Sequence, residues 1–162
     1  FSDGAAAAVL SGASSGQVGH ARLISSSTML IPDSLDAMSW RIGDYGFEMT
    51  LSPRLPDLIQ SNIRPWADSW LGACGVPVDK LDAMAIHPGG PKVLSAVANG
   101  LGYPDEITAA SRQILREFGN MSSGTVLFVL RRLLEEKATG RCLALGFGPG
   151  LTAEGLLLVL HR

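Results

Sequence analysis

Two residues of this chain pair a reactive side chain with a place that could expose it. His87 ends the apolar run Leu81 to Ile86 and is followed at once by the turn Pro88-Gly89-Gly90-Pro91. Functional side chains of α/β folds tend to stand off the carboxyl ends of strands, although a core or capping histidine suits the same position. Asn120 follows Gly119 between two helical patterns. Asparagine is a favoured N-cap, and a capping asparagine can still aim its amide into a pocket.

Other candidates fail on context. Gly12-Ala13-Ser14-Ser15-Gly16 matches G-x-S-x-G, the serine turn that needs a strand before it and a helix after it. Here Gln17-Val18-Gly19-His20 and then a strand follow, so Ser14 reads as part of a hairpin loop. Gly146-Phe147-Gly148-Pro149-Gly150 suggests a dinucleotide loop, but the third glycine would fall at Leu151 and a hairpin follows instead of a helix. The two cysteines, Cys74 and Cys142, form no C-x-x-C and no metal-spaced cluster. Cys74 falls at the C-terminal end of a helix, where the dipole disfavours a thiolate. Both read as reduced, buried thiols. No metal site is expected.

The elements that must position these residues follow from apolar spacing. Ala5–Leu10 reads as a strand, 11–19 as a loop and Ala21–Ile31 as a strand. Residues 34–46, with Trp40 among them, read as turn-rich, and Phe47–Leu51 as a short strand. Pro56 opens a helix whose apolar face is Leu58, Ile59, Ile63, Trp66 and Trp70; Pro65 predicts a kink or break, and Gly72 or Gly75 an end. A helix after the His87 turn stops at Gly100 and Gly102. Asp105–Phe118 is amphipathic, with Ile107, Ile114, Leu115 and Phe118 inward, and a further helix runs from about Met121 to Ala138. The C-terminus reads as a β-hairpin of Arg141–Gly146 and Leu156–His161. The fold class is α/β, a mixed β-sheet covered by helices.

Composition narrows the function classes. The 162 residues suit one domain, 1–162. Charged residues make up 17%, against about 25% in an ordinary soluble domain. Thirteen Lys+Arg against 15 Asp+Glu leave a net charge of −2, with no basic stripe for nucleic acid. The apolar runs Val126–Leu130 and Leu156–Leu160 fall far short of the roughly 20 residues of a membrane span. Phe1-Ser2-Asp3-Gly4 lacks the basic opening of a signal peptide. A cytoplasmic location and a piece of a longer protein are the expectations.

Taken together, Ile86-His87-Pro88-Gly89-Gly90-Pro91-Lys92, Phe118-Gly119-Asn120-Met121-Ser122-Ser123 and Gly146-Phe147-Gly148-Pro149-Gly150-Leu151-Thr152 carry a resemblance. In this order they resemble the C-terminal half of the chalcone synthase family, the type III polyketide synthases, within the thiolase-fold superfamily. The likeness runs from Asp3-Gly4-Ala5-Ala6 to the last strand. Thiolase-fold ketoacyl synthases usually place Gln-Ala-Asn after the histidine, whereas this chain has Pro-Gly-Gly, which favours the type III family. Leu51-Ser52-Pro53 is similar to bacterial members.

The resemblance implies a thiolase-like half carrying two members of a Cys-His-Asn triad, His87 and Asn120. The nucleophilic cysteine would belong to an N-terminal half absent from this chain. It implies an acyltransferase that condenses an acyl-CoA starter with malonyl-CoA by decarboxylative Claisen condensation. CoA thioesters are the substrates, and no metal or redox cofactor is needed. His87 and Asn120 would stabilise the enolate by hydrogen bonds, as an oxyanion hole does, and His87 would pair with the cysteine thiolate.

By the same resemblance, Met49 falls at a gate position and Trp40 near a cavity position of the plant members, Ser122 would face the chain-elongation cavity, and Phe147, Gly148 and Pro149 would form part of its wall. Lys92 reads as an exposed lysine at a helix start, with CoA phosphate as the other reading. Separation of the halves exposes an apolar face, so a homodimer is expected, and the isolated half is expected to be inactive. The alternative is a non-catalytic thiolase-fold assembly or acyl-CoA-binding module.

Overall fold

The computed structural model describes residues 1–12 and 19–161. Its frame is a four-stranded mixed sheet in the order β1-β6-β5-β4. The strands are β1 (Ala21–Leu30), β4 (Ala83–Ile86), β5 (Gly140–Gly148) and β6 (Thr152–Leu160). β4 runs parallel to β5, and β6 is antiparallel to both β5 and β1. A separate antiparallel hairpin, β2 (Met38–Gly43) and β3 (Gly46–Leu51), stands outside the sheet.

Alternation along the strands sorts the core into two layers. Met84, Ile86, Leu143, Leu145 and Leu157 face α1 (Leu55–Ala73) and α2 (Pro91–Leu101). Ala83, Ala85, Cys142, Ala144 and Leu158 face α3 (Ala109–Phe118) and α4 (Thr125–Glu135). Bulky side chains thus fill the first layer. Residues of alanine or cysteine size on β4 and β5 let α3 and α4 pack close in the second.

α1 is one helix, not two. Pro65 breaks no element because it sits on the exposed face, where the carbonyl it strips of a partner reaches water. The helix ends at Gly75 (φ +70), with the Val76 N–H donating to the Leu71 carbonyl and the Gly75 N–H to the Gly72 carbonyl. Gly102 (φ +80) closes α2, whereas Gly100 lies inside that helix. A Cβ there would stand 2.5 Å from Ile63 Cγ2 and 2.8 Å from the Gln60 carbonyl oxygen, so only glycine lets α1 and α2 approach this closely.

Four further expectations are corrected. Ala5–Leu10 forms no strand and is exposed. Part of the turn-rich stretch is β2. Asp105–Phe118 divides into a 3-10 turn, Asp105–Thr108, and α3. Phe118, expected inward, is 44% exposed and packs against Phe128, ring centroids 5.6 Å apart.

Candidate active site

His87 continues the parallel pairing of β4 with β5 one residue past Ile86. Its N–H donates to the Leu145 carbonyl at 2.7 Å, and its own carbonyl accepts the Gly89 N–H at 2.9 Å. Ala83 and Ala85 face α3 and α4, so alternation turns the imidazole to that same side. The Ile86 N–H points away from β5 and donates to the buried Ser111 Oγ of α3 at 3.1 Å. This bond ties α3 to the end of the strand that carries His87. The imidazole is half-buried, and loss of water pushes its pKa below the ordinary histidine value. It is therefore neutral at pH 7 and keeps one N–H donor.

β5 lays small residues along the same face. Cys142 and Ala144 are followed by Gly146 and Gly148, and a Cβ at either glycine would meet nothing within 4 Å. Open space therefore lies beside the histidine. Gly146 borders this open space and was not singled out as a candidate in the sequence; the every-second-residue series Cys142, Ala144, Gly146, Gly148 is the signal that marks it. Phe147 points the other way and packs against the α1/α2 core. Pro149 is exposed in the turn to β6.

Asn120 sits between α3 and α4. Gly119 (φ +75) ends α3, and a 3-10 turn, Ser122–Gly124, precedes α4. The Ser122 N–H donates to Asn120 Oδ1 at 2.9 Å. That bond caps the turn and, because the oxygen is the acceptor, leaves Nδ2 as the donor of this side chain. The Nδ2 group makes no hydrogen bond among the described residues. Thr125 Oγ1 locks the same turn, accepting the Met121 N–H at 2.9 Å and donating to the Ser122 carbonyl at 2.7 Å. Ser122 itself is exposed.

Trp40 and Met49 lie directly opposite each other in the β2–β3 hairpin. Their face also carries Met38, Ile42, Phe47 and Leu51, while Ser39, Arg41, Glu48 and Thr50 occupy the other. Trp40 is 48% exposed and meets Phe47 edge-on, centroids 5.8 Å apart. β2 packs beside the Pro149–Leu151 turn, so the hairpin adjoins the end of β5 that contains Gly148.

The structure thus groups His87 with Gly146 and Gly148 at one sheet end, puts Asn120 and Ser122 at the head of α4, and leaves Phe147 in the opposite layer. Lys92 is exposed on the first turn of α2, beside an open groove of about 270 Å3 with Pro56, Gln60, Ser95 and Asn99. Burial pushes the Cys142 thiol up to about 12, which makes it inert. Cys74 is half-buried, less covered than the sequence suggested. Ser14 lies outside the described residues. Among the described residues, no group of three His, Cys, Asp or Glu could hold a metal ion, and no helix is long and apolar enough to cross a membrane.

Comparison with known proteins bears on the family and the fold. Residues 22–161 match the family of chalcone and stilbene synthases, C-terminal domain. The chain is 34% identical to the alpha-pyrone synthesis polyketide synthase-like protein of Mycobacterium tuberculosis, over 100% of this chain and 43% of that protein. It is 36% identical to the 1,3,6,8-tetrahydroxynaphthalene synthase of Streptomyces peucetius, over 98% of this chain and 43% of that protein. The crystal structure of PKS-I from the brown alga Ectocarpus siliculosus superposes with a TM-score of 0.86 at 31% identity, covering 93% of this chain and 42% of that one. The chain therefore spans less than half the length of these relatives, which are polyketide synthases, and its α/β architecture is thiolase-like. From the family match, the relatives and the fold together, the chain belongs to the chalcone and stilbene synthase C-terminal domain family.

Proposed function

We propose that this chain is the C-terminal half of a type III polyketide synthase that extends an acyl-CoA starter with malonyl-CoA. In this reading an N-terminal half supplies the nucleophilic cysteine, which takes the starter acyl group from CoA as a thioester. Malonyl-CoA then loses CO₂. The electron pair of the broken C–C bond becomes an enolate, with its charge on the thioester oxygen. The enolate carbon attacks the bound acyl carbonyl, and the cysteine thiolate leaves.

The charge that develops on the enolate oxygen calls for neutral, preoriented donors. The N–H of His87 and the Nδ2–H of Asn120 suit that role: one belongs to an imidazole kept neutral by burial, the other to an amide whose oxygen is engaged by the Ser122 N–H. The observation that carries the reading is a neutral histidine at the end of β4 beside the open space over Gly146 and Gly148. That space suits an acyl chain. Trp40, Met49 and the Phe147–Pro149 stretch would bound the cavity, with Ser122 on its elongation side. None of these steps assigns work to a metal or redox cofactor. A homodimer in the cytoplasm completes the reading.

The test joins the chain to its N-terminal half and follows malonyl-CoA decarboxylation. His87→Ala and Asn120→Ala are each expected to slow it by roughly 10²-fold or more, the cost of losing one oxyanion donor. Undiminished decarboxylation in His87→Ala would refute the assignment.

A further inference from the structure

The first residues of the chain lie across the loop that carries Asn120. The Ser2 N–H donates to the Asn120 carbonyl at 2.9 Å, and the Ser2 hydroxyl donates to the Phe118 carbonyl. The same side chain covers Gly119: a Cβ there would stand 3.1 Å from Ser2 Oγ and 3.6 Å from Ser2 Cβ. Two residues on, Gly4 meets the other flank of Asn120. A Cβ at Gly4 would stand 2.5 Å from Met121 Sδ and 2.8 Å from Met121 Cβ and Cγ. Met121 cannot yield easily, because its side chain is buried in the α3/α4 core and its N–H is bound to Thr125 Oγ1.

Asn120 is thereby held on four sides. Its carbonyl is fixed by Ser2, its side-chain oxygen by Ser122, and its neighbours Gly119 and Met121 are seated against Ser2 and Gly4. Thr125 Oγ1 fixes the turn that follows Asn120, and Ser2 and Gly4 add contacts to its carbonyl and its two neighbours; a hydrogen-bond donor to a developing charge must hold its geometry to within about 0.5 Å. We propose that Ser2 and Gly4 are positioning residues that hold the Asn120 amide in its donating orientation. The proposal rests on the reading of Asn120 as a donor to the reacting thioester. It adds that this orientation is set from a segment remote in sequence, by a backbone N–H and by a glycine that leaves room for Met121.

A double-mutant cycle in the chain joined to its N-terminal half separates positioning from general packing. Gly4→Ala is expected to lower kcat for malonyl-CoA decarboxylation by about ten- to a hundredfold, since a misplacement of about 1 Å can cost that much. The KM should stay within about twofold, because an interaction made only in the transition state is lost. With Asn120→Ala already present, Gly4→Ala should cost less than about twofold more, because no amide remains to be misplaced. Ser2→Pro, which removes the N–H bound to the Asn120 carbonyl, runs the same cycle and covers a failure of Gly4→Ala to fold. An equal loss in both backgrounds, or an unchanged kcat in the single variants, overturns the proposal. An unchanged rate in Asn120→Ala alone instead overturns the reading of Asn120 on which it rests.

Discussion

His87 and Leu145 are joined by a 2.7 Å hydrogen bond from the His87 N–H to the Leu145 carbonyl. It prolongs the β4–β5 ladder beyond Ile86, the last residue of β4, so the root of the imidazole is held by the sheet as well as by the Gly89 bond of the turn that follows. The consequences of that placement are burial, neutrality and nearness to the open side of β5.

Burial of His87 couples stability to pH. Its folded pKa lies below the unfolded value of about 6.5, so in that window the unfolded chain binds the extra proton. The contribution is fully present above the unfolded pKa and is lost as pH falls through it toward the folded pKa. Below the folded value both states are protonated and the loss is complete. Chemical denaturation at a series of pH values should show the stability of His87→Gln falling less steeply below pH ~6.5 than that of the parent. Identical slopes would mean that the imidazole is not desolvated.

Gly146 and Gly100 make opposite predictions for the same substitution. At Gly146 a Cβ meets nothing within 4 Å, so Gly146→Ala should fold with its denaturation midpoint essentially unchanged. In the joined enzyme it should alter turnover or product distribution, because the methyl enters the space beside His87. A change in stability without a change in products would count against that space as a substrate cavity.

At Gly100 the obstacles to a Cβ are the Ile63 methyl at 2.5 Å and the Gln60 backbone, whose carbonyl oxygen stands at 2.8 Å. Backbone in a packed helix cannot step aside. Gly100→Ala should therefore destabilise by about 1–3 kcal/mol through overpacking, read as a lower urea midpoint with the slope retained. Stability equal to the parent would show that α1 and α2 are not locked at this crossing.

Apolar side chains remain uncovered in the chain alone. Leu156 opposes Ser26 across β1 and β6, and Leu30 lies on that same face four residues along, 39% and 54% exposed respectively. Ile42 and Phe47 on the hairpin are 87% and 72% exposed. Apolar groups so placed mark association surfaces. Light scattering of the isolated chain at micromolar concentration should give a mass above that of one 17.0 kDa chain. Leu156→Lys should shift the distribution toward monomer. A strictly monomeric parent would remove the expectation of self-association.

Where periodicity was long, the fold was legible. The spacing of Leu58, Ile59, Ile63, Trp66 and Trp70 announces α1, and Trp66 and Trp70 then stack at 5.3 Å while their Nε1–H groups donate to Ser27 and Ser25 of β1. Where it was short, it misled. Met38, Trp40 and Ile42 alternate with Ser39 and Arg41, but six residues beside a Gly-Asp-Tyr-Gly turn read as loop. Ala5–Leu10 offered apolarity, but four of its six residues are alanine and Val9 alone is β-branched, so little of it fills a pleated surface. His87 and Asn120 became candidates because each sits in a motif. The grip of Ser2 and Gly4 on the Asn120 loop was not legible, since it is made by a backbone N–H and a missing Cβ acting on residues remote in sequence.

Trp40 offers the sharpest test of the proposed cavity. It shares the apolar face of the hairpin with Met49, its register partner, and meets Phe47 edge-on. Removing the indole has two separable effects. Loss of the aromatic pair should cost the hairpin about 0.5–1.5 kcal/mol beyond the area lost, seen as a modest fall in denaturation midpoint. If the indole also occupies space that an elongating chain would use, Trp40→Ala in the joined enzyme should shift products toward longer polyketides, read by mass spectrometry. Phe47→Ala breaks the same aromatic pair from its other side and provides the comparison. A product shift in Trp40→Ala that Phe47→Ala does not reproduce assigns the effect to volume at Trp40. An unchanged distribution in Trp40→Ala, with the stability loss present, would place this tryptophan in the hairpin's own packing and outside the cavity.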